Sequence, residues 1–323
     1  MPTAENAKLA YEAGQQVYAM SELTNSGDET CYTSSASIWS GKAGFAPVVR
    51  PNGLLTGGAV TPHATNNTVS IAALTCNLAG VVTSVGAGTL VASRAVTTDT
   101  HRITSLTVNS SGALAAVAGT DHTAFSDVRG DPGGPPLIPV GSIEIGQVRL
   151  TTIPDAAVAA AEIFQVVGLH VERADFPLWD VLYDVGQVKF LDALPEIHTG
   201  AVPKKVYASY ASPIFSDVQL ASDFVPPETT HSVTSTQVYG ATIGGSSSTL
   251  NQGTFTAYLQ NGVTDPLVTL KNEILWFKFW PDRYASSYVL SQGKLGVSRT
   301  FPAGDAIQAT CTISASEGAK EVA

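Results

Sequence analysis

Charge is what this sequence has least of. Asp, Glu, Lys and Arg together supply 14% of its 323 residues, where about a quarter is usual in globular chains, and Thr, Ser, Ala and Gly take their place. Two long stretches, Pro51 to Ser93 and Thr229 to Thr264, contain none of the four. A free monomer normally carries charge to stay apart from its copies, so uncharged stretches of this length point to an assembly that covers them. They are not solvated coil, because Val, Ile and Leu recur through both. The net charge of −10 excludes a protein that grips nucleic acid on a basic surface, but not one past which nucleic acid slides.

Cysteine is also scarce. Cys31, Cys76 and Cys311 lie far apart with no CxxC, which excludes a disulfide framework and a local zinc site and predicts free thiols in a reducing compartment. No apolar run approaches the ~20 residues of a membrane span, and MPTAENAKLAYEAGQ has no basic region followed by an apolar one, so neither a membrane segment nor a secretion signal is expected. The motifs of familiar catalysis are missing as well. There is no G-x-S-x-G, no P-loop and no G-x-G-x-x-G between strand and helix.

Possible chemistry is thin. The histidines at 63, 101, 122, 170, 198 and 231 never fall at i, i+2 or i, i+4, the spacing a local metal site favours. Asp121 beside His122, and Glu172 near Asp175, are the pairs from which acid/base chemistry would be drawn, but turn and strand-end solvation accounts for them better. Aromatics interleave with lysine in Trp276, Phe277, Lys278 and Phe279, as on a single-strand binding platform; one lysine makes no electrostatic groove, and burial explains the pattern better. No catalytic, cofactor-binding or metal-ligating residue is named, and no enzyme activity or cofactor is expected.

What the sequence has is strands. Thr68 to Cys76, Gly88 to Val96, His101 to Asn109 and Ala113 to Ala118 are short, rich in Val and Thr, and separated by Gly, Asn or Ser turns, the spacing of a β-sandwich or barrel. In RITSLTV the apolar residues Ile103, Leu106 and Val108 do not alternate, which predicts a bulge. Gly130 to Pro139, GDPGGPPLIP, reads as a proline-rich crossover between domains; glycine does not hold a collagen period through it. Beyond it, VGSIEIGQVRL, EIFQVVGLHVERAD and VPKKVYASYASPIF read as strands, with the Ala-rich 155–161 a short helix or loop. SVTSTQVYGATI and GTFTAYL form a long uncharged hairpin joined by GGSSSTLNQ. In the last pair, Ile307, Ala309, Cys311, Ile313 and Ala315 share one face. ILWFKFW, Ile274 to Trp280, is apolar on both faces apart from Lys278, so it is covered on both sides.

The expected organisation is mainly β. Residues 1–44 form an N-terminal arm with a short helix near Ala4 to Ala13, 45–130 a first β domain, 131–141 the crossover, and 142–323 a second β domain with the long hairpin. Both domains are sandwich- or barrel-like.

FPLWDVLYDVGQVKF, PKKVYASYASPIF, LKNEILWFKFWPDRY and above all SQGKLGVSRTFPAGDAIQATCTIS resemble the second half of a tailed-bacteriophage major tail protein, the tail tube subunit. The resemblance covers about half of the chain and rests on no invariant chemical motif. It implies a β core that assembles into hexameric rings stacked as a hollow tube, with the hairpin and N-terminal arm tying neighbours together and residues 45–130 decorating the outside. It further implies a virion location after assembly in the host cytoplasm, tape-measure, terminator and baseplate proteins as partners, and DNA passing through the lumen without specific binding. The alternatives are a tail fibre or baseplate protein that binds host-surface glycans through the first domain, and a depolymerase with an acidic cleft.

Overall fold

The computed structural model describes residues 6–96 and 99–323. Strands take 51% of the chain and helix 2%, so the fold is mainly β and sandwich-like, as the alternating patterns require. Residues group into two compact units, one of Met1–Val17, Ile38–Ala46 and Ala211–Ala323, the other of Tyr18–Ser37 and Pro47–Tyr210.

The first unit is built on one antiparallel run in the order Ala221–Val225, Gly253–Leu259, Ile307–Ser314, Tyr288–Thr300, Ile274–Trp280 and the beginning of Lys8–Glu22. Its core gathers Leu9, Tyr11, Phe255, Leu275, Phe277, Leu295, Cys311 and Ile313. Side chains alternate along a strand, so Leu275, Phe277 and Phe279 turn to this core and Trp276, Lys278 and Trp280 to the opposite face. That opposite face is covered by the unit's own residues at Trp276 and Lys278, while Ile274 at its start is 44% exposed, so the expected covering on both sides is partial. The indole N–H of Trp276 donates to the carbonyl of Trp39 at 2.8 Å, and Lys278 Nζ sits 4.5 Å from the Phe215 ring and 4.6 Å from that of Tyr288. Burial holds the Lys278 ammonium below its ordinary pKa.

The expected helix at 4–13 is not formed over the described residues, which from Lys8 onward belong to the Lys8–Glu22 strand. Leu9 and Tyr11 enter the core while Ala10 and Glu12 are buried on the other side, and the backbone pairs Lys8 with Trp280 through to Tyr11 with Phe277. Burial on both faces outweighs the helix propensity of Ala, Glu and Lys. Nor do the described residues of 1–44 form an arm: Cys31–Thr33 pairs with Gln187–Phe190, and Trp39 is fully buried. Where the ladder with Ile274–Trp280 stops, the Glu12 carboxylate accepts the Trp276 N–H at 3.1 Å and the Ser40 hydroxyl, replacing a lost backbone partner.

The second unit holds small sheets. Gly53–Gly57, Leu74–Leu78 and Val81–Val85 form one; Val60–Pro62, Thr68–Ile71 and Gly88–Val91 another; Leu114–Ala118, Arg102–Val108, Ile143–Leu150 and Ile163–Phe164 a third; Trp179–Leu182, Gln187–Phe190, Cys31–Thr33 and Thr24–Asn25 a fourth. The first three supply a common core that includes Val69, Ile71, Cys76, Leu106, Val108, Ile143, Ile145 and Leu150. The expected strand Thr68 to Cys76 is thus two strands in different sheets, and of EIFQVVGLHVERAD only Ile163–Phe164 is a strand.

GDPGGPPLIP does not separate domains. The strands on either side of it, Arg102–Val108 and Ile143–Leu150, pair with each other, and both belong to the second unit. The segment is a folded loop: Gly133 N–H bonds the Thr120 carbonyl and Gly130 N–H that of Pro135. Gly133 has φ 76°, and a Cβ there would lie 2.2 Å from the Ala124 carbonyl oxygen. Proline and glycine mark where ladder bonding stops, which is not the same as where a domain ends. The division into 45–130 and 142–323 therefore differs from the observed units.

Candidate functional site

Two features stand out for opposite reasons, one for having nothing to bury and one for burying charge. The first is a hairpin in the first unit. Thr229–Val238 and Ala241–Leu250 pair over their whole length, from Thr229↔Leu250 to Val238↔Ala241, with Gly240 at φ 84° in the connection. The expected loop GGSSSTLNQ is thus mostly strand. Its Gly and Ser are poor strand formers, and it is the partner strand that makes it one. All described side chains from Thr229 to Thr249 are exposed, with Val233 at 79% and Ile243 at 61%. Those two lie on opposite faces, since Val233 pairs with Ser246 and Ile243 with Thr236. Ser and Thr are the commonest residues beside them, and Ser232 bonds Ser247 across the ladder at 2.7 Å.

The second feature is a cavity of about 720 Å³ in the second unit. One wall is the Ile143–Leu150 strand. Its pairing with Arg102–Val108 shifts register between Leu106 and Thr107, where Leu106 faces Gly146 and Thr107 faces Glu144. The expected irregularity in RITSLTV is there, but the extra residue is Ile145 of the partner strand. The bulge flips the side-chain parity, so that Ile143, Ile145, Val148 and Leu150 all reach the core while Glu144, Gln147 and Arg149 all line the cavity.

Around them the polar groups are tied together. Arg129 pairs with Glu144 and also donates to the Pro136 carbonyl at 2.6 Å. Gln147 Nε2 donates to Glu144 Oε1 at 3.2 Å. Glu172 and Glu144 are locked reciprocally: the Glu172 N–H donates to the Glu144 carbonyl at 2.8 Å, and the Glu144 N–H to Glu172 Oε2 at 2.9 Å. Lys204 Nζ donates to the carbonyls of Arg173 and Phe176. His170 follows a turn in which its N–H bonds the Val166 carbonyl, and its Nδ1 accepts the Val166 N–H at 3.2 Å. Burial pushes the carboxyls of Glu144 and Glu172 above their ordinary pKa, opposed by Arg129 at the first and by His198 and Lys204 at the second. Burial lowers Lys204 to about 8, and it lowers His170 too, helped by Arg149 and Arg129.

The pairs singled out in the sequence do not become sites. Asp121 forms an ion pair with Arg102 and accepts the Val96 N–H, and His122 takes part in a backbone bridge to His101. Glu172 lies inside the cavity wall, whereas Asp175 pairs with Arg173 at 2.6 Å. Trp276 is buried, so the aromatic strand offers no open platform for bases. Among the described residues no group of three or more His, Cys, Asp or Glu is placed to hold a metal, and no helix is long and apolar enough to cross a membrane. The cavity residues Arg129, Glu144, Gln147, Arg149 and Lys204 were not foreseen. Glu144, Gln147 and Arg149 leave one trace in the sequence, that SIEIGQVRL carries charge inside a strand without a clean period of two.

No family model matches the chain, and no curated protein matches it.

Proposed function

We propose that the chain is a structural subunit that assembles with copies of itself, as the tail tube protein of a long-tailed bacteriophage, in hexameric rings stacked into a conduit for DNA. The observation that carries this reading is the hairpin Thr229–Leu250, which is long, uncharged and exposed on both faces. An isolated two-stranded hairpin is at best marginally stable in water, and one without charge has no device against edge-to-edge pairing. Both properties suit an element that is covered once copies meet. The stretches resembling tail tube proteins include strands of the first unit's sheet, Ile274–Trp280 and Ile307–Ser314, and the acidic balance suits a lumen that repels phosphate and lets DNA slide. On this reading the protein resides in the virion tail, is assembled in the host cytoplasm, and meets tape-measure, terminator and baseplate proteins.

Negative-stain microscopy and sedimentation of the purified full chain test it. Rings or tubes of uniform bore are the expected result. A monomer at every concentration, with no particles, counts against it.

A further inference from the structure

We propose that the cavity of the second unit binds a neutral oligosaccharide segment. The inference stands apart from the tube reading, since it concerns a different unit and holds whether or not the chain polymerises. Its volume of about 720 Å³ falls in the range of small-ligand sites. What the site prefers follows from how its charges are disposed. Arg129 is cancelled by Glu144, Arg149 by Asp127 at 3.6 Å and Arg173 by Asp175, while Lys204 is spent on two backbone carbonyls. An anionic ligand finds no free cation among these, and meets the exposed carboxylates of Asp192 and Glu196 at the lining.

A neutral ligand with donors and acceptors side by side is different. Guanidinium groups with exposed carboxylates near them at the lining match vicinal hydroxyls, each of which donates and accepts. The polar groups of this wall that a ligand can reach are the guanidiniums of Arg129 and Arg149, 14% and 19% exposed. Against this polar wall stand apolar side chains that the fold leaves in solvent: Phe176 is 43% exposed and Leu169 65%, with Pro177 and Pro195 also lining the cavity. An aromatic face beside hydrogen-bonding groups fits the C–H face of a sugar ring with its hydroxyls at the edge.

The test titrates the full-length protein by calorimetry with maltotriose, cellotriose and the trimer of N-acetylglucosamine as neutral probes, trigalacturonate as anionic and the glucosamine trimer as cationic. At least one neutral trisaccharide is expected to bind, and Phe176→Ala to weaken it about tenfold, the equivalent of one lost aromatic contact. Leu169→Ser, at a side chain mostly in solvent, should weaken it too without changing thermal unfolding, and it decides the matter if Phe176→Ala misfolds. The proposal is overturned if no neutral probe binds at about 10 mM, if a charged probe binds more tightly than every neutral one, or if binding is indifferent to the substitutions that fold.

Discussion

Two of the first unit's antiparallel hairpins differ in almost everything but their pairing. Tyr288–Thr300 and Ile307–Ser314 pair from Lys294↔Ser314 to Thr300↔Gln308 and send Leu295, Val297, Ala309, Cys311 and Ile313 into the core. Thr229–Val238 and Ala241–Leu250 pair over a longer register and send no described side chain there. Burying a large aliphatic side chain contributes about 1.5–3 kcal/mol, so the closing hairpin is held by what lies under it. The uncharged one has only its ladder. Backbone hydrogen bonds exchanged with water yield little net stability, so its shape is suited to completion by something outside the unit. One pairing pattern thus serves two ends, and side-chain burial separates them.

The comparison is broken most severely at Phe277, fully buried under the closing hairpin's sheet. Phe277→Ala should cost about 3–5 kcal/mol in denaturant unfolding of the full chain; a loss similar to that of a surface substitution would mean that this core does not hold the unit. Next in size is Trp276→Phe, which keeps the ring but removes the indole donor and leaves the Trp39 carbonyl without it. A loss of about 1–3 kcal/mol is expected in the same measurement, and no loss would show that the carbonyl finds another partner. The smallest effect belongs to the uncharged hairpin. Val233→Lys with Ile243→Lys should change unfolding by no more than about 0.5 kcal/mol, yet prevent rings and tubes in sedimentation and microscopy. If the double variant unfolds the protein, the hairpin is part of the fold; if it polymerises like the parent, the hairpin does not join copies.

Legibility in the sequence followed the same division. Ile307 to Ser314 and Ile274 to Trp280 were readable because a period of two maps directly onto faces, and both strands occur with the predicted burial of their core-facing residues. Ala241–Leu250 was not, because ATIGGSSSTL has the composition of a loop and becomes a strand only through its partner. Lys8–Glu22 was hidden for the opposite reason: its first residues are buried on both sides, which erases the alternation, and its pairing partner lies at the far end of the chain. The cavity was least legible of all. Glu144 and Gln147 are an odd number of residues apart, and a regular strand would send them to opposite faces. Only the extra residue at Ile145 brings them together, and nothing in a single sequence fixes where a bulge falls.

The bond between the Trp276 N–H and the carboxylate of Glu12 spans 264 residues, and this sets a timetable for synthesis. At ~5–20 residues per second, roughly 13–50 s pass on the ribosome between the two ends of that bond. Throughout that interval the strand beginning at Lys8 has emerged but lacks the neighbour from Ile274–Trp280 to which it is hydrogen-bonded in the finished sheet. Residues 47–210 of the other unit are complete well before then. The nascent chain therefore carries an open strand edge bearing Leu9 and Tyr11 until residues 274–280 arrive, and the sheet of the first unit closes only then.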